Sequence, residues 1–395
     1  MGVKTLTNVR PWGAAPVDVV MSGGAISAVE AAGSAAPRGE PIDGRGLLAL
    51  PGFINAHAHV DKSWWGQPWV SYGGDNTTAG RIAHERAERG ALGIPSPNST
   101  AAVLREFLRH GTTAVRSHVD VDLGVGLRGI EVVREAVEAL GDRLELEVVA
   151  FPQDGVVRRD GVLKLLDEAA AAGATSIGGI DPCSIDRDPV AQLDGLFDIA
   201  VRRGVGIDIH IHDRGELGAF QYELVAERVR ANGLRGKVTI SHGFALGELP
   251  AARQRELLDR FAEAGIGWAT VAPPGTAPLP WRGMRERGIP VGLGTDGIRD
   301  LWSPFGDGDI LLVAQNFARL HGQRGDADLA YVVELATSRA AGYVHRDIHD
   351  LVAGARADIV LLDAENVADA LTRCPRRAMV IAGGTVAAVD GELTF

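Results

Sequence analysis

Eight short apolar segments, alternating with amphipathic stretches, constrain what this chain can fold into more than any other feature. They lie at 53–59 (FINAHAH), 113–120 (TAVRSHVD), 144–152 (LELEVVAFP), 176–181 (SIGGID), 206–212 (GIDIHIH), 238–243 (VTISHG), 267–273 (GWATVAP) and 290–296 (PVGLGTD). Most of the intervals carry apolar residues at helical spacing, as in AAVLREFLRH, RGIEVVREAVEAL, VLKLLDEAAAA and QYELVAERVRA. A strand followed by a helix returns to form a parallel neighbour, and eight such units predict an α/β fold, a parallel (β/α)8 TIM barrel. A doubly wound open sheet is the competitor, but no Gly-x-Gly-x-x-Gly follows an early strand. The segment 61–99, with Trp64, Trp65 and Trp69, is long for a connection and is expected to form a lid over the first strand.

The two ends have a different texture. Short apolar stretches broken by glycine flank Gly23-Gly24 near the start and Gly383-Gly384 near the end, which predicts hairpins. We therefore expect 1–50 and 355–395 to build one small β-sandwich domain together, with 51–354 as the catalytic barrel.

Composition excludes several classes. A net charge of −11 argues against a general nucleic-acid or anionic-membrane binder, though it says little about a small-molecule pocket. The two cysteines, Cys183 and Cys374, give no disulfide framework. No apolar run is long enough to span a bilayer, which takes about 20 residues, and the start has no apolar signal-peptide core. The expectation is a soluble cytoplasmic protein that self-associates and binds a small molecule, without nucleic-acid or membrane partners.

In a parallel barrel the C-terminal strand ends converge on the active face. Those ends carry His57 and His59 on strand one, His118 and Asp120 on strand two, and lead into Gln153 after strand three. Asp181 ends strand four, His210, His212 and Asp213 end strand five, His242 ends strand six and Asp296 ends strand eight. Scattered polar residues would fall equally at the opposite ends, and these do not. A strand has a side-chain period of two, so His57 and His59 share a face. His57, His59, His210 and Asp296 form a three-nitrogen, one-oxygen set for one divalent ion, Zn2+ or Fe2+. His242 beside such a set reads as a proton-transfer group rather than a satisfied core histidine. Asp213 reads as a general acid, with Glu216 next in line. His212 and His118 either touch substrate or support the site, and Asp120 and Asp181 either cap loops or do the same.

Absences narrow the class. Two-metal barrel hydrolases commonly bridge their ions with a lysine near the end of strand four, but Lys4, Lys62, Lys164 and Lys237 all lie elsewhere. The His-x-Glu and Pro-Cys-x-x-Cys deaminase pattern is missing its second cysteine at DPCSID. Neither a His-Glu-x-x-His helix nor a Gly-x-Ser-x-Gly elbow occurs.

The motifs PGFINAHAHVDK, RSHVDVD, VAFPQDG, DIHIHDRGELG, VTISHGFALG, GTDGIRDLWSPFGDGD and ADIVLLDAENV resemble the amidohydrolase superfamily, in its cytosine-deaminase-like branch. Bacterial cytosine deaminases are similar at VAFPQ, where Gln153 matches the glutamine that binds the pyrimidine ring. N-isopropylammelide isopropylaminohydrolases are similar at HVDVD, GGIDP, HIHD and IRDLWSPFGDGD. The resemblance implies hydrolytic removal of an exocyclic amine from a planar aminopyrimidine such as cytosine or isocytosine, or alternatively from an N-substituted amino-s-triazine. It implies that Asp296 and His242 accept the water's proton, that Asp213 protonates the ring, and that Gln153 and Trp302 contact it. Asp213 replaces the glutamate of cytosine deaminases, Gly297 their second acidic residue, and Asp181-Pro182 their strand-four ending. A ring-opening amidohydrolase is disfavoured by the missing strand-four lysine, and an inactive scaffold by the complete ligand set.

Overall fold

Five strands precede the first barrel strand in the computed structural model, which describes residues 2–395. They are β1 (Lys4–Pro11), β2 (Val17–Ser22), β3 (Ala25–Ala31), β4 (Glu40–Asp43) and β5 (Leu48–Pro51). Eight more follow as β6 (Phe53–Ala58), β7 (Thr112–Asp120), β8 (Glu145–Phe151), β9 (Ser176–Ile180), β10 (Gly206–Ile211), β11 (Val238–His242), β12 (Gly267–Thr270) and β13 (Val291–Leu293). The last four are β14 (Ile359–Leu362), β15 (Arg377–Ala382), β16 (Thr385–Val389) and β17 (Glu392–Leu393).

The terminal strands form a mixed sheet in the order β17-β16-β15-β14-β5-β1-β2-β3, with β4 also on β1. Strand β5 lies between β1 and β14, so neither end of the chain makes this sheet alone. Both expected hairpins form, β2–β3 and β15–β16, and their glycine pairs take the positive φ that tight hairpin turns need. Leu6, Val19, Met21, Ala49, Ile359 and Ile381 share one buried cluster drawn from both ends.

The central strands run parallel in the order β6 to β13. All of β6, β7, β9 and β11 is buried, as strands covered on both faces must be. The ring closes where Ala58 bridges Asp296 and the Asp296 N–H donates to the His57 carbonyl at 3.0 Å. Barrel closure thus brings the two ends of the ligand set side by side. At the opposite end, Arg116 donates to the Tyr343 carbonyl and the Tyr343 hydroxyl donates to the Trp268 carbonyl, which plugs the interior.

The helices that matter for the site are α1 (Thr78–Glu88), α2 (Pro97–Arg109), α3 (Arg128–Glu138), α4 (Val162–Ala171), α5 (Pro189–Arg203) and α6 (Gly215–Asn232). Ser96 caps α2 and Asp188 caps α5, each followed by a proline. Proline is tolerated there because a first-turn N–H has no acceptor within the helix. Helix α1 belongs to the expected lid. Its Ile82 packs with Phe151, Ile180, Ile185 and Trp302 above the ends of β8 and β9. Among the described residues no helix is long and apolar enough to cross a membrane.

Candidate active site and metal centre

Strand parity assembles the site. In β7, Arg116, His118 and Asp120 alternate with residues of the other face. In β10 and just beyond it, Asp208, His210 and His212 do the same. Thr239 and Ser241 follow the rule in β11: Arg116 donates to Thr239 Oγ1 at 3.3 Å, and Ser241 donates to Asp208 Oδ1 at 2.5 Å. His242 breaks it. Its φ of 67° lies in the left-handed region, and the bend turns two consecutive side chains, Ser241 and His242, into the same space. Asp296 is bent in the same way, with φ 61°. Such residues cost of order 1–3 kcal/mol each, which the surrounding ladder must offset.

The expected ligands come together. His59 Nε2 lies 3.3 Å and His57 Nε2 3.6 Å from Asp296 Oδ1, and His210 Nε2 lies 3.3 Å from His59 Nε2. Donor atoms holding one ion tetrahedrally at about 2.0–2.1 Å lie about 3.4 Å apart, so these separations fit a single ion. His57 Nε2 is buried with no hydrogen-bond partner, as is Nδ1 of His242. Orphaned buried nitrogens are costly unless something absent from the chain satisfies them, and a cation fits that description. His118 also has a donor atom within 4.8 Å of those of His57, His59 and His210.

Protonation states agree with that role. Burial holds His59, His210 and His242 well below the ordinary histidine value, with the Lys62 ammonium adding to the effect at His59 and neighbouring imidazoles at the other two. Burial and His57 push His118 down to about 4. Burial alone would raise Asp296, but the imidazoles of His57 and His59 packed against it outweigh that and keep the carboxyl well below its usual range. Neutral imidazoles beside an ionised carboxylate are what a divalent cation requires.

A second layer fixes which nitrogen points where. Ser241 Oγ gives its proton to Asp208 and lies 3.0 Å from His57 Nδ1. The hydroxyl must therefore accept from His57 Nδ1–H, which leaves Nε2 as the lone-pair nitrogen facing Asp296. Asp208 is held in turn by Arg116 at 3.2 Å and by His118 at 3.3 Å. Burial opposes its charge, yet His118 and Arg116 bring it down to about 2.

Above these groups opens a cavity of about 940 Å3 lined by His59, His210, His212, His242, Asp296, Gln153 and Trp302, among others. His212 Nδ1 bonds Asp181 Oδ2 at 2.8 Å, which leaves Nε2 for the cavity. Burial opposes protonation of this ring, but Asp181 outweighs it and raises the pKa above the ordinary value. Three expected positions differ from the sequence reading. The Asp213 carboxylate accepts from Gln221 at 2.9 Å and does not line the cavity, because period two turns residue 213 away from the face shared by 210 and 212. Glu216 is exposed on α6, paired with Arg253. His118 lies under the histidine cluster against Asp208, off the cavity wall.

The sequence reading missed a buried polar network that runs from Lys62 in that wall to the residues behind it. Lys62 Nζ lies 2.9 Å from Asp120 Oδ1 and 3.6 Å from Glu85 Oε1. Burial, with Glu85 and Asp122 close by, keeps Asp120 well above the ordinary carboxylate value despite Lys62, and burial with Asp120 brings Asp61 up to about 7. Glu85, from the lid helix, accepts from Gln153 Nε2 at 2.9 Å and from the Trp302 indole. Asp300 was also missed. It lines the cavity, accepts from the backbone of Trp302 and Ser303, and is pushed up to about 6 by burial. A β-carbon at 297 would meet this carboxylate, so Gly297 leaves the Asp300 side chain its present place. The signal for Lys62 was its rarity, one of four lysines, beside the His-x-His pair.

A family model described as the Amidohydrolase family matches residues 96–388. The crystal structure of N-isopropylammelide isopropylaminohydrolase from Burkholderia multivorans ATCC 17616 is similar over 100% of both chains, with a TM-score of 0.95 and 39% identity. N-isopropylammelide isopropyl amidohydrolase of Pseudomonas sp. (strain ADP) is 29% identical over 365 residues, covering 89% of this chain and 88% of that protein. The structure of 5-methylcytosine deaminase from Klebsiella pneumoniae with 5-fluorocytosine is similar at a TM-score of 0.83 and 26% identity, over 98% and 97% of the two chains.

Proposed function

Because this chain belongs to the amidohydrolase family, whose members here are hydrolases of C–N bonds, we propose that it hydrolytically releases an exocyclic amine from a planar nitrogen heterocycle, with an N-alkylamino-s-triazine of the ammelide type as the preferred substrate. The observation that carries the proposal is the meeting of His57, His59, His210 and Asp296 at the base of a cavity walled by Gln153 and Trp302. Pockets for drug-sized ligands run to roughly 300–1,000 Å3, so about 940 Å3 leaves room beyond a bare six-membered ring. Phe244, Val271, Pro273, Phe305, Leu312 and Val313 give part of that space an apolar lining suited to an N-alkyl group. A bare aminopyrimidine is the second reading, favoured by Gln153 and by the likeness to a 5-methylcytosine deaminase.

His57, His59, His210 and Asp296 are the residues that would hold a divalent ion. When bound, the ion supplies Lewis acidity that makes water nucleophilic near neutral pH. Asp296 orients the attacking water, and His242 takes its proton as the water adds to the amine-bearing carbon. His212, held by Asp181, presents Nε2 to the cavity and protonates the ring nitrogen or the departing amine, the role first assigned to Asp213. Trp302 walls the ring, and Gln153 binds its polar edge.

The test is amine release from a panel of N-isopropylammelide, other N-alkylammelides, ammelide, cytosine, 5-methylcytosine and isocytosine. Alkylamine release exceeding ammonia release is expected. Turnover of cytosines alone would favour the second reading, and turnover of no ring in the panel would remove both.

A further inference from the structure

Glu85 comes from the lid, yet its carboxylate is 2% exposed and lies behind the cavity wall, not on it. One oxygen, Oε2, accepts both Gln153 Nε2 at 2.9 Å and the Trp302 indole N–H. Those two donors reach it from distant parts of the chain: Gln153 follows β8, Trp302 follows β13, and both line the cavity. The other oxygen faces Lys62, itself 4% exposed.

An amide has one acceptor end and one donor end, and a free glutamine side chain can turn either toward a ligand. With one N–H of its nitrogen drawn back to Glu85, Gln153 is oriented by that bond, and its carbonyl oxygen is without a protein partner. We propose that Glu85 is a positioning residue that fixes Gln153 with its carbonyl toward the substrate, so that the site selects rings presenting an N–H at that edge. The inference rests on the ring-binding reading above and adds a requirement to it: a lactam-type N–H on the edge facing Gln153. The same carboxylate occupies the Trp302 N–H, so that Trp302 offers the ring only its apolar surface. Because the acceptor rides on α1, the selective geometry exists only while the lid is packed down.

Exchanging the two side chains tests this. Gln153→Glu alone sets two carboxylates against each other. Combined with Glu85→Gln, it restores one amide N–H donating to one carboxylate, with an acceptor oxygen still facing the cavity. Binding is read by calorimetry with two inactive probes, cyanuric acid and its fully N-methylated derivative, and kcat and KM with the best substrate of the panel. The wild type should bind the N–H probe at least 10-fold more tightly than the fully N-methylated one. Q153E should lose most of its affinity, E85Q/Q153E should regain the preference, and E85A should lower it to within about 3-fold of unity, raising KM more than it lowers kcat. A double variant no better than Q153E, or E85A with the wild-type preference, would overturn the assignment. If E85A does not fold, the exchange pair decides alone. Normal probe binding without turnover of any ring would sink the functional reading and leave the role of Glu85 standing.

Discussion

At the scale of single residues, proton delivery divides between two neighbours. His212 lines the cavity and is tied to Asp181 at 2.8 Å, whereas Asp213 is engaged with Gln221. Loss of a positioned acid typically costs 10²–10⁴ in rate. His212→Asn should therefore lower kcat by roughly 100-fold or more, and Asp213→Asn by no more than about 3-fold, both measured as initial rates of amine release with metal content checked in each variant. The contrast also marks where the residues could be read from sequence. His57 with His59, and His210 with His212, were legible because strand parity puts alternate residues on one face. The same parity placed Asp213 on the other face, so its position at the end of the fifth barrel strand did not by itself make it a cavity residue. Bends at His242 and Asp296 carry no local sequence signal, since nothing in VTISHG or GLGTD announces a left-handed φ on a residue with a side chain. Glu85 was illegible for a different reason. In a polar stretch such as TAGRIAHERAE one more acid looks like surface, and only the tertiary packing of α1 buries it.

Among the elements, the lid helix α1 buries only Ile82 and Glu85. A buried clamp at its C-terminal end joins Arg89 to Asp122 on the loop after β7, with two short bonds of 2.6 and 2.8 Å. Burial would raise the Asp122 pKa, but the paired Arg89 and the N–H groups of Gly124 and Val125 lower it below 3.8. A carboxylate whose pKa is depressed on folding stabilises the fold fully above its ordinary value, and that contribution fades as pH falls below it. The Asp122 clamp should thus contribute as much at pH 5 as at pH 7 and be lost below about pH 4. Hydrogen exchange over residues 76–94, corrected for its intrinsic pH dependence, should register this. Asp122→Asn should bring the loosened exchange to neutral pH, and an unchanged profile in that variant would remove the clamp from the account. The lid itself was expected from its length and its tryptophans, although the sequence offered no indication that it reaches Gln153 and Trp302 through one carboxylate. The barrel elements were easier, because eight buried strands with intervening amphipathic helices admit few topologies.

For the whole molecule, the terminal sheet and the barrel meet at one peptide-length step, where β5 ends at Pro51 and β6 begins at Phe53. That step starts the strand that carries His57 and leads to His59, and barrel closure sets Asp296 against it, so the ligand set depends on the complete ring and not on any local motif. The central claim is that this ring builds one metal centre, not two and not none. Elemental analysis of protein produced with supplemented zinc or iron, counted per chain, tests that most directly. The account predicts close to one divalent ion per chain, falling to near zero in His210→Ala while the fold persists by circular dichroism. Two ions per chain, or none in the wild type under metal supplementation, would contradict it.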